Sequence, residues 1–260
     1  MNILLDPAAR PVIGHRGNRA HSPEDTLESM LEAVALGVDA LEFDVHVTRD
    51  GVAVVHHDAT LDRTTSASGP IASRTLRELA DVDAGYHFTR DAGESFPWRD
   101  QGVRIPSLDA VLDAFPTLPL IIEIKTHTAT AAVRDCIARH AAERRVLVAG
   151  FDVRSVQPLA GGPIALGAST RELVRMLPFA IFGLHGPPAA FVAACIPPVY
   201  NGCPVPIGRF AQLMRRRGGV VHVWTVNTAR EARQLWSIGV QGIISDDPAL
   251  ILKARAIGGE

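Results

Sequence analysis

Between residues 42 and 58 the chain reads EFDVHVTRDGVAVVHHD, with Glu42 and Asp44 before an Asp50-Gly51 pair and His56, His57 and Asp58 after it. Residues two apart on a strand share a face, so Glu42, Asp44 and His46 point the same way. Val45, Val47, Val52, Val54 and Val55 already supply the apolar residues, so the acids are not there for packing. Asp-Gly favours a two-residue hairpin turn, which would set Asp44 opposite His57 across the ladder. By alternation His56 would then point away from His57, towards packing.

Similar polar residues close other apolar runs: His15 and Arg16 follow PVIG, Glu123 and Lys125 end PLIIEIK, and Trp224 lies near the end of VVHVWTV. Charges at successive strand ends are costly to bury unless they serve one another or a ligand. Three carboxylates, Glu42, Asp44 and Glu123, form a hard oxygen site suited to Mg²⁺ or Ca²⁺ and not to zinc. Arg16 and Lys125 suit a phosphate, one as a fork and one as a point charge. His15 and His57 are candidates for general acid and base, since histidine titrates near neutrality. A metal, two cations and two histidines together describe phosphodiester cleavage.

Strands must carry these residues to one place. Apolar runs read as buried parallel strands at 11–17, 40–45, 119–125, 146–152, 163–169, 180–185, 220–226 and 242–245. Most are followed by a helical pattern, such as TLESMLEAVALG or AREARQLWSIG. That alternation favours a single-domain α/β fold, a (β/α)₈ TIM barrel over residues 1–260. A doubly wound sheet is disfavoured because no glycine-rich dinucleotide fingerprint follows the first strand. Residues 46–118 interrupt the rhythm and read as an inserted cap region after the second strand. They hold the hairpin, a helix at SRTLRELADV, a polar loop and a helix at SLDAVLDAF. The segment 176–200, MLPFAIFGLHGPPAAFVAACIPPVY, is too broken by proline and glycine for a membrane span and reads as a buried strand followed by a short helix.

Composition narrows the class. Net charge is −2, 47% of residues are hydrophobic and 21% charged, which fits a globular protein with a substantial core. Basic residues are dispersed apart from Arg215-Arg216-Arg217, against a nucleic-acid surface. Cys136, Cys195 and Cys203 fit no disulfide framework or zinc motif and are expected as small buried apolar residues. The start MNILLDPAARP lacks the basic residues and long apolar run of a signal peptide, so a cytoplasmic location is expected.

The ordered motifs HRG (15–17), SPEDT (22–26), EFDVHVTRDG (42–51), HHDATLDRTT (56–65), IPSL (105–108), EIK (123–125), WTVN (224–227) and GIISDDP (242–248) resemble the glycerophosphodiester phosphodiesterase family. The resemblance implies a TIM barrel with an inserted cap and metal-dependent hydrolysis of a small-molecule glycerophosphodiester to glycerol 3-phosphate and an alcohol. It implies metal ligation by Glu42, Asp44 and Glu123, acid/base roles for His15 and His57, phosphate contacts from Arg16 and Lys125, and Trp224 as a pocket wall. Lysophospholipase D activity in the same fold and a non-catalytic phosphoester-binding barrel are the alternatives.

The chain departs from that family's pattern in places. Asp25 stands where the family usually has Asn, and Gly150 where it often has Ser; residues 176–206 match weakly. Ser22 and Pro23 are expected to start the first helix, with Glu24 and Asp25 at its positive end and Glu24 within reach of the site. Arg63 and Thr64-Thr65 are expected to tie the hairpin to the cap. The histidines at 21, 87, 127, 140, 185 and 222 read as surface or satisfied core residues.

Overall fold

The first barrel strand, β1 (Val12–His15), is an apolar run buried along its length, and helix α1 (Leu27–Ala35) follows it. The computed structural model describes residues 2–257. Next come β2 (Ala40–Val47), the short β3 (Ala53–Val55) and helices α2 (Leu76–Leu79) and α3 (Leu108–Ala114). Strand β4 (Leu120–Ile124) leads to α4 (Thr130–Arg139), β5 (Val146–Ala149) to α5 (Val153–Val156), and β6 (Ala165–Leu166) to α6 (Thr170–Phe182). Strand β7 (Ala193–Ile196) is followed by a small hairpin, β8 (Val199–Tyr200) with β9 (Cys203–Pro204), and by α7 (Ile207–Arg216). The chain ends with β10 (Val220–Val223), α8 (Ala229–Ser237), β11 (Gly242–Ser245) and α9 (Pro248–Ile257).

Eight strands run parallel in the order β6-β5-β4-β2-β1-β11-β10-β7. A bridge between Gly167 and Ala193 joins the two ends, so the sheet closes into the expected barrel. Its interior holds Leu4, Ile13, Ala40, Ile121, Leu147, Val220 and Ile244, while two larger apolar layers lie between strands and helices. Leu4 and the first residues of β2 and β10 share this cluster, so the N-terminal ends of the strands are plugged with apolar side chains. The polar residues are left to the opposite mouth, where such folds place chemistry. No helix among the described residues is long and apolar enough to cross a membrane.

Four local expectations are corrected. The run 180–185 is not a strand: it includes the last turn of α6, which Gly183 ends in the left-handed conformation (φ 70°). The barrel strand of this region is β7, further along, so the order is helix then strand. A short apolar run looks alike in a buried helix and a buried strand, and Pro178 sits inside the helix.

The β2–β3 pairing is one residue off the expected register, with Val45 opposite Val55 and Val47 opposite Ala53. Thr48 N–H donates to Val52 O, which leaves a three-residue loop in which Gly51 has positive φ and Asp50 does not. His56, not His57, therefore pairs with Asp44, its N–H donating to Asp44 O at 2.9 Å. His57 lies beyond the end of β3.

Helix α1 starts later than its expected Ser22 cap. Thr26 is the N-cap and accepts from Ser29 N–H, which leaves residues 22–25 as a turn. Among the cysteines, Cys136 is buried but Cys203 is exposed.

Residues 46–118 build a second small core from Val54, Leu61, Ile71, Leu79, Val82, Val103 and Ile105. Helix α3 instead packs with the barrel layer through Leu108, Val111 and Leu112.

Candidate active site

The site begins with the turn after β1. Arg16 (φ 51°) and Gly17 (φ 89°) both adopt the left-handed conformation, and Arg16 N–H donates to Glu42 O at 2.7 Å. A side chain at Gly17 would strike Ser29, the residue that receives this turn on α1. Strand register does the rest. His15 is level with Glu42, and Asp44, two residues further along β2, with Glu123, so three neighbouring strands deliver their polar residues on two successive levels of the mouth.

One ligand oxygen from each of Glu42, Asp44 and Glu123 lies within 4.8 Å of the others. Glu42 Oε2 and Asp44 Oδ2 are buried without a hydrogen bond. Burial and then the charge of Asp44 push the carboxyls of Glu42 and Glu123 up from the ordinary range. A hard divalent cation would relieve both the orphaned oxygens and the repulsion, and an all-oxygen donor set fits one.

Two basic residues flank the acids. Arg16 Nε is 2.9 Å from Asp44 Oδ2, without hydrogen-bond alignment, and its Nη1 donates to Glu24 at 2.7 Å. Lys125 Nζ lies 2.8 Å from Glu123 Oε1 and 3.3 Å from Asp44 Oδ1. Burial alone would lower the pKa of either cation. The facing carboxylates, Asp44 foremost, outweigh it and hold both charged.

Each predicted histidine has a carboxylate behind it. His15 Nδ1 is 2.6 Å from Asp246 Oδ1, and His57 Nδ1 is 2.5 Å from Asp58 Oδ1. A carboxylate accepting from Nδ1–H leaves Nε2 as the free nitrogen of the neutral ring. His15 Nε2 is 3.8 Å from Glu42 Oε2. Burial pushes the His57 imidazole below its ordinary value, against the attraction of Asp44. His56 is buried with its Nε2 on Thr60 O at 3.2 Å, a packing role as expected.

His15, Arg16, Glu42, Asp44, His57, Glu123, Lys125 and Trp224 all line one cavity of about 90 Å³ at the barrel mouth. All eight residues given catalytic, phosphate-binding or metal roles from the sequence are brought together there. Several that also matter were not singled out. Asp246, in the GIISDDP motif, backs His15 and receives Asn227 Nδ2 at 2.9 Å. Phe151 meets Trp224 edge-on at 5.8 Å between centroids.

Glu24 reaches the site as expected, binding Arg16, Arg19 and Arg63, and these cations hold its carboxyl well below the usual range despite burial. Arg63 joins Asp58 (2.6 Å) to Glu24 (2.6 Å), so it ties the loop after the hairpin to the 22–25 turn. Asp25 is buried at φ 60°, with Oδ1 3.4 Å from Asp44 N–H. Burial and then Asp44 raise its carboxyl well above the ordinary range.

A second trio, Asp109, Cys136 and His140, lies on α3 and at the end of α4, outside the barrel. Arg139 already holds both Asp109 oxygens at 2.7 and 2.8 Å, and burial pushes the Cys136 thiol up to about 12. It makes a poor metal site.

A family model described as the glycerophosphoryl diester phosphodiesterase family matches residues 15–160 and 185–250. A glycerophosphodiester phosphodiesterase of Caldanaerobacter subterraneus subsp. tengcongensis is 29% identical over 95% of this chain and 98% of its own. The structure of the glycerophosphoryl diester phosphodiesterase domain of a Mycobacterium tuberculosis protein superposes with TM-score 0.83 at 21% identity, covering 95% of this chain and 99% of that one. An Oleispira antarctica phosphodiesterase, solved in complex with the product sn-glycerol-3-phosphate, superposes with TM-score 0.76 at 24% identity, covering 95% and 97%.

Proposed function

The chain belongs to the glycerophosphoryl diester phosphodiesterase family, and from that premise we propose that its barrel-mouth cavity hydrolyses glycerophosphodiesters to glycerol 3-phosphate and an alcohol by two-histidine, metal-dependent catalysis. The observation that carries this reading is the meeting in one cavity of three carboxylates, two cations and two carboxylate-backed histidines. The Oleispira product complex supports the choice of substrate class.

Glu42, Asp44 and Glu123 would hold the cation, Mg²⁺ or Ca²⁺. When bound, it supplies positive charge against the phosphoryl oxygens as negative charge grows there. Arg16 and Lys125 contact the phosphate, and Trp224 forms one wall.

A glycerophosphodiester carries a free hydroxyl next to the esterified carbon, and an internal nucleophile avoids the entropy cost of bringing in water. One histidine of the pair takes that hydroxyl proton at Nε2 while the other gives a proton to the departing alcohol oxygen. The first product is then a cyclic phosphate, which water opens with the roles reversed. Residues 46–118 act as a cap beside the mouth in this single-domain protein.

Chelation with EDTA should abolish glycerophosphocholine turnover, and Mg²⁺ or Ca²⁺ should restore it. Glu42→Gln should weaken cation binding, read by calorimetry, by about tenfold or more. Undiminished turnover in excess chelator would remove the metal from the reaction. Comparable turnover of an analogue with the neighbouring hydroxyl methylated would make water the nucleophile.

A further inference from the structure

Beside the reaction cavity lies a second one of about 220 Å³, and the two share Glu123, Ala149, Phe151, Cys195 and Trp224 as a common wall. Beyond that wall the lining is almost wholly apolar: Leu173 and Leu177 of α6, Ile196 at the end of β7, Val205 and Phe210. Among the described residues lining it, Glu123 is the only charged one, and it stands at the junction. A glycerol or a small polar alcohol gains nothing from such a wall, whereas an aliphatic chain gains roughly 0.8 kcal/mol for each buried CH₂.

Resting on the reading above, we propose that the substrate carries an aliphatic chain and that this cavity takes it. Thr170, Leu173, Val174 and Leu177 lie three and four residues apart and so form one face of α6. That face is one wall of the cavity, and it runs out to solvent through Val174, 64% exposed, with Tyr200 of the β8–β9 hairpin, 39% exposed, also lining the cavity. A chain longer than the cavity can therefore continue outwards. Helix α6, which supplies this face, falls in the interval 161–184 that the family model leaves unmatched. The chain can sit on the glycerol, as in a lysophospholipid, or on the departing alcohol; the chemistry recognised is the same.

Turnover should be measured for glycerophosphocholine, for 1-acyl-glycerophosphocholines of increasing chain length, and for alkyl esters of glycerol 3-phosphate, all below their micelle concentrations. In one of the two chain-bearing arms kcat/KM should rise about two- to fourfold per methylene until the cavity is full. Leu173→Asn should reduce kcat/KM for the preferred chain-bearing substrate about tenfold more than for glycerophosphocholine. Val174→Trp, at an exposed position that leaves folding intact, should block the longer chains selectively.

Dodecylphosphocholine has no neighbouring hydroxyl. Its binding, followed by calorimetry, reads the cavity without turnover and should weaken in both variants. If dodecylphosphocholine binds and responds to the variants but nothing is cleaved, the reaction assigned above fails and the chain site stands. If glycerophosphocholine is cleaved and neither chain length nor these variants changes relative rates, the chain site is overturned. Absence of dodecylphosphocholine binding would also overturn it.

Discussion

His15 and His57 come from different parts of the chain yet share one arrangement, an imidazole whose Nδ1 faces a carboxylate, Asp246 or Asp58. Such a carboxylate fixes the ring and its tautomer and steadies the imidazolium formed when the ring takes a proton. Asp246 is well suited to this, since its hydrogen bonds with His15 and Asn227 and the nearby Arg19 bring its carboxyl down to about 2 against the effect of burial. Asp246→Asn should lower kcat for glycerophosphocholine about 100-fold while leaving KM within a fewfold. The pH profile of kcat should shift as well, because the imidazolium loses its counter-charge. An unaltered profile with kcat near wild type would reduce Asp246 to a structural residue.

At the scale of elements, the β1–α1 turn sets the site's geometry. It aims Arg16 at Asp44 and Glu24 through a left-handed pair of residues, and the second of them has no room for a side chain. Gly17→Ala should cost roughly 2 kcal/mol or more, the left-handed penalty plus displacement of Ser29. Because the displaced backbone carries Arg16, activity should fall by more than the loss of folded protein accounts for. Thermal melting together with specific activity per folded molecule checks this; unaltered activity would detach the turn from the site. Helix α6 shows the same division of labour, its ends set by Ser169–Glu172 and Gly183 and its face by what it packs against.

Taken whole, the barrel is apolar at the N-terminal ends of its strands and ionic at the other mouth, and one titratable group is committed to the apolar end. His222 is fully buried, its Nε2–H donating to Leu4 O at 2.9 Å, and burial drives its pKa down to about 4. The unfolded chain, with an ordinary histidine near 6.5, binds the proton first as pH falls. The stability from this residue is therefore complete above about 6.5 and lost progressively towards 4, amounting to about 3 kcal/mol. Urea unfolding at pH 7 and pH 4.5 should show His222→Gln losing less stability across that interval than wild type. Equal losses would show that the ring is protonated in the folded state.

Much of this could be read from the amino acids alone. Seven of the eight barrel strands lie on the apolar runs that announced them, because a strand buried on both faces must be apolar throughout. His15, Arg16, Glu42, Asp44, Glu123 and Lys125 stood out because ionic groups at the ends of such runs have no packing role, whereas Trp224, which also packs against the barrel interior, stood out through the WTVN motif. His57 reaches the same cavity from beyond its strand, so the hairpin argument that singled it out was off by one residue. Loop geometry sets that register, and an Asp-Gly pair admits both a two-residue and a three-residue turn. The order of α6 and β7 was hidden because period and hydropathy do not separate a buried helix from a buried strand over so few residues. The Asp246 carboxylate lies 231 residues from His15, and the apolar cavity draws its wall from strand, helix and hairpin segments far apart in the chain. Propensity and periodicity are relations between neighbours along the chain. Which distant side chains meet is decided when the sheet closes and its register brings the strand ends level.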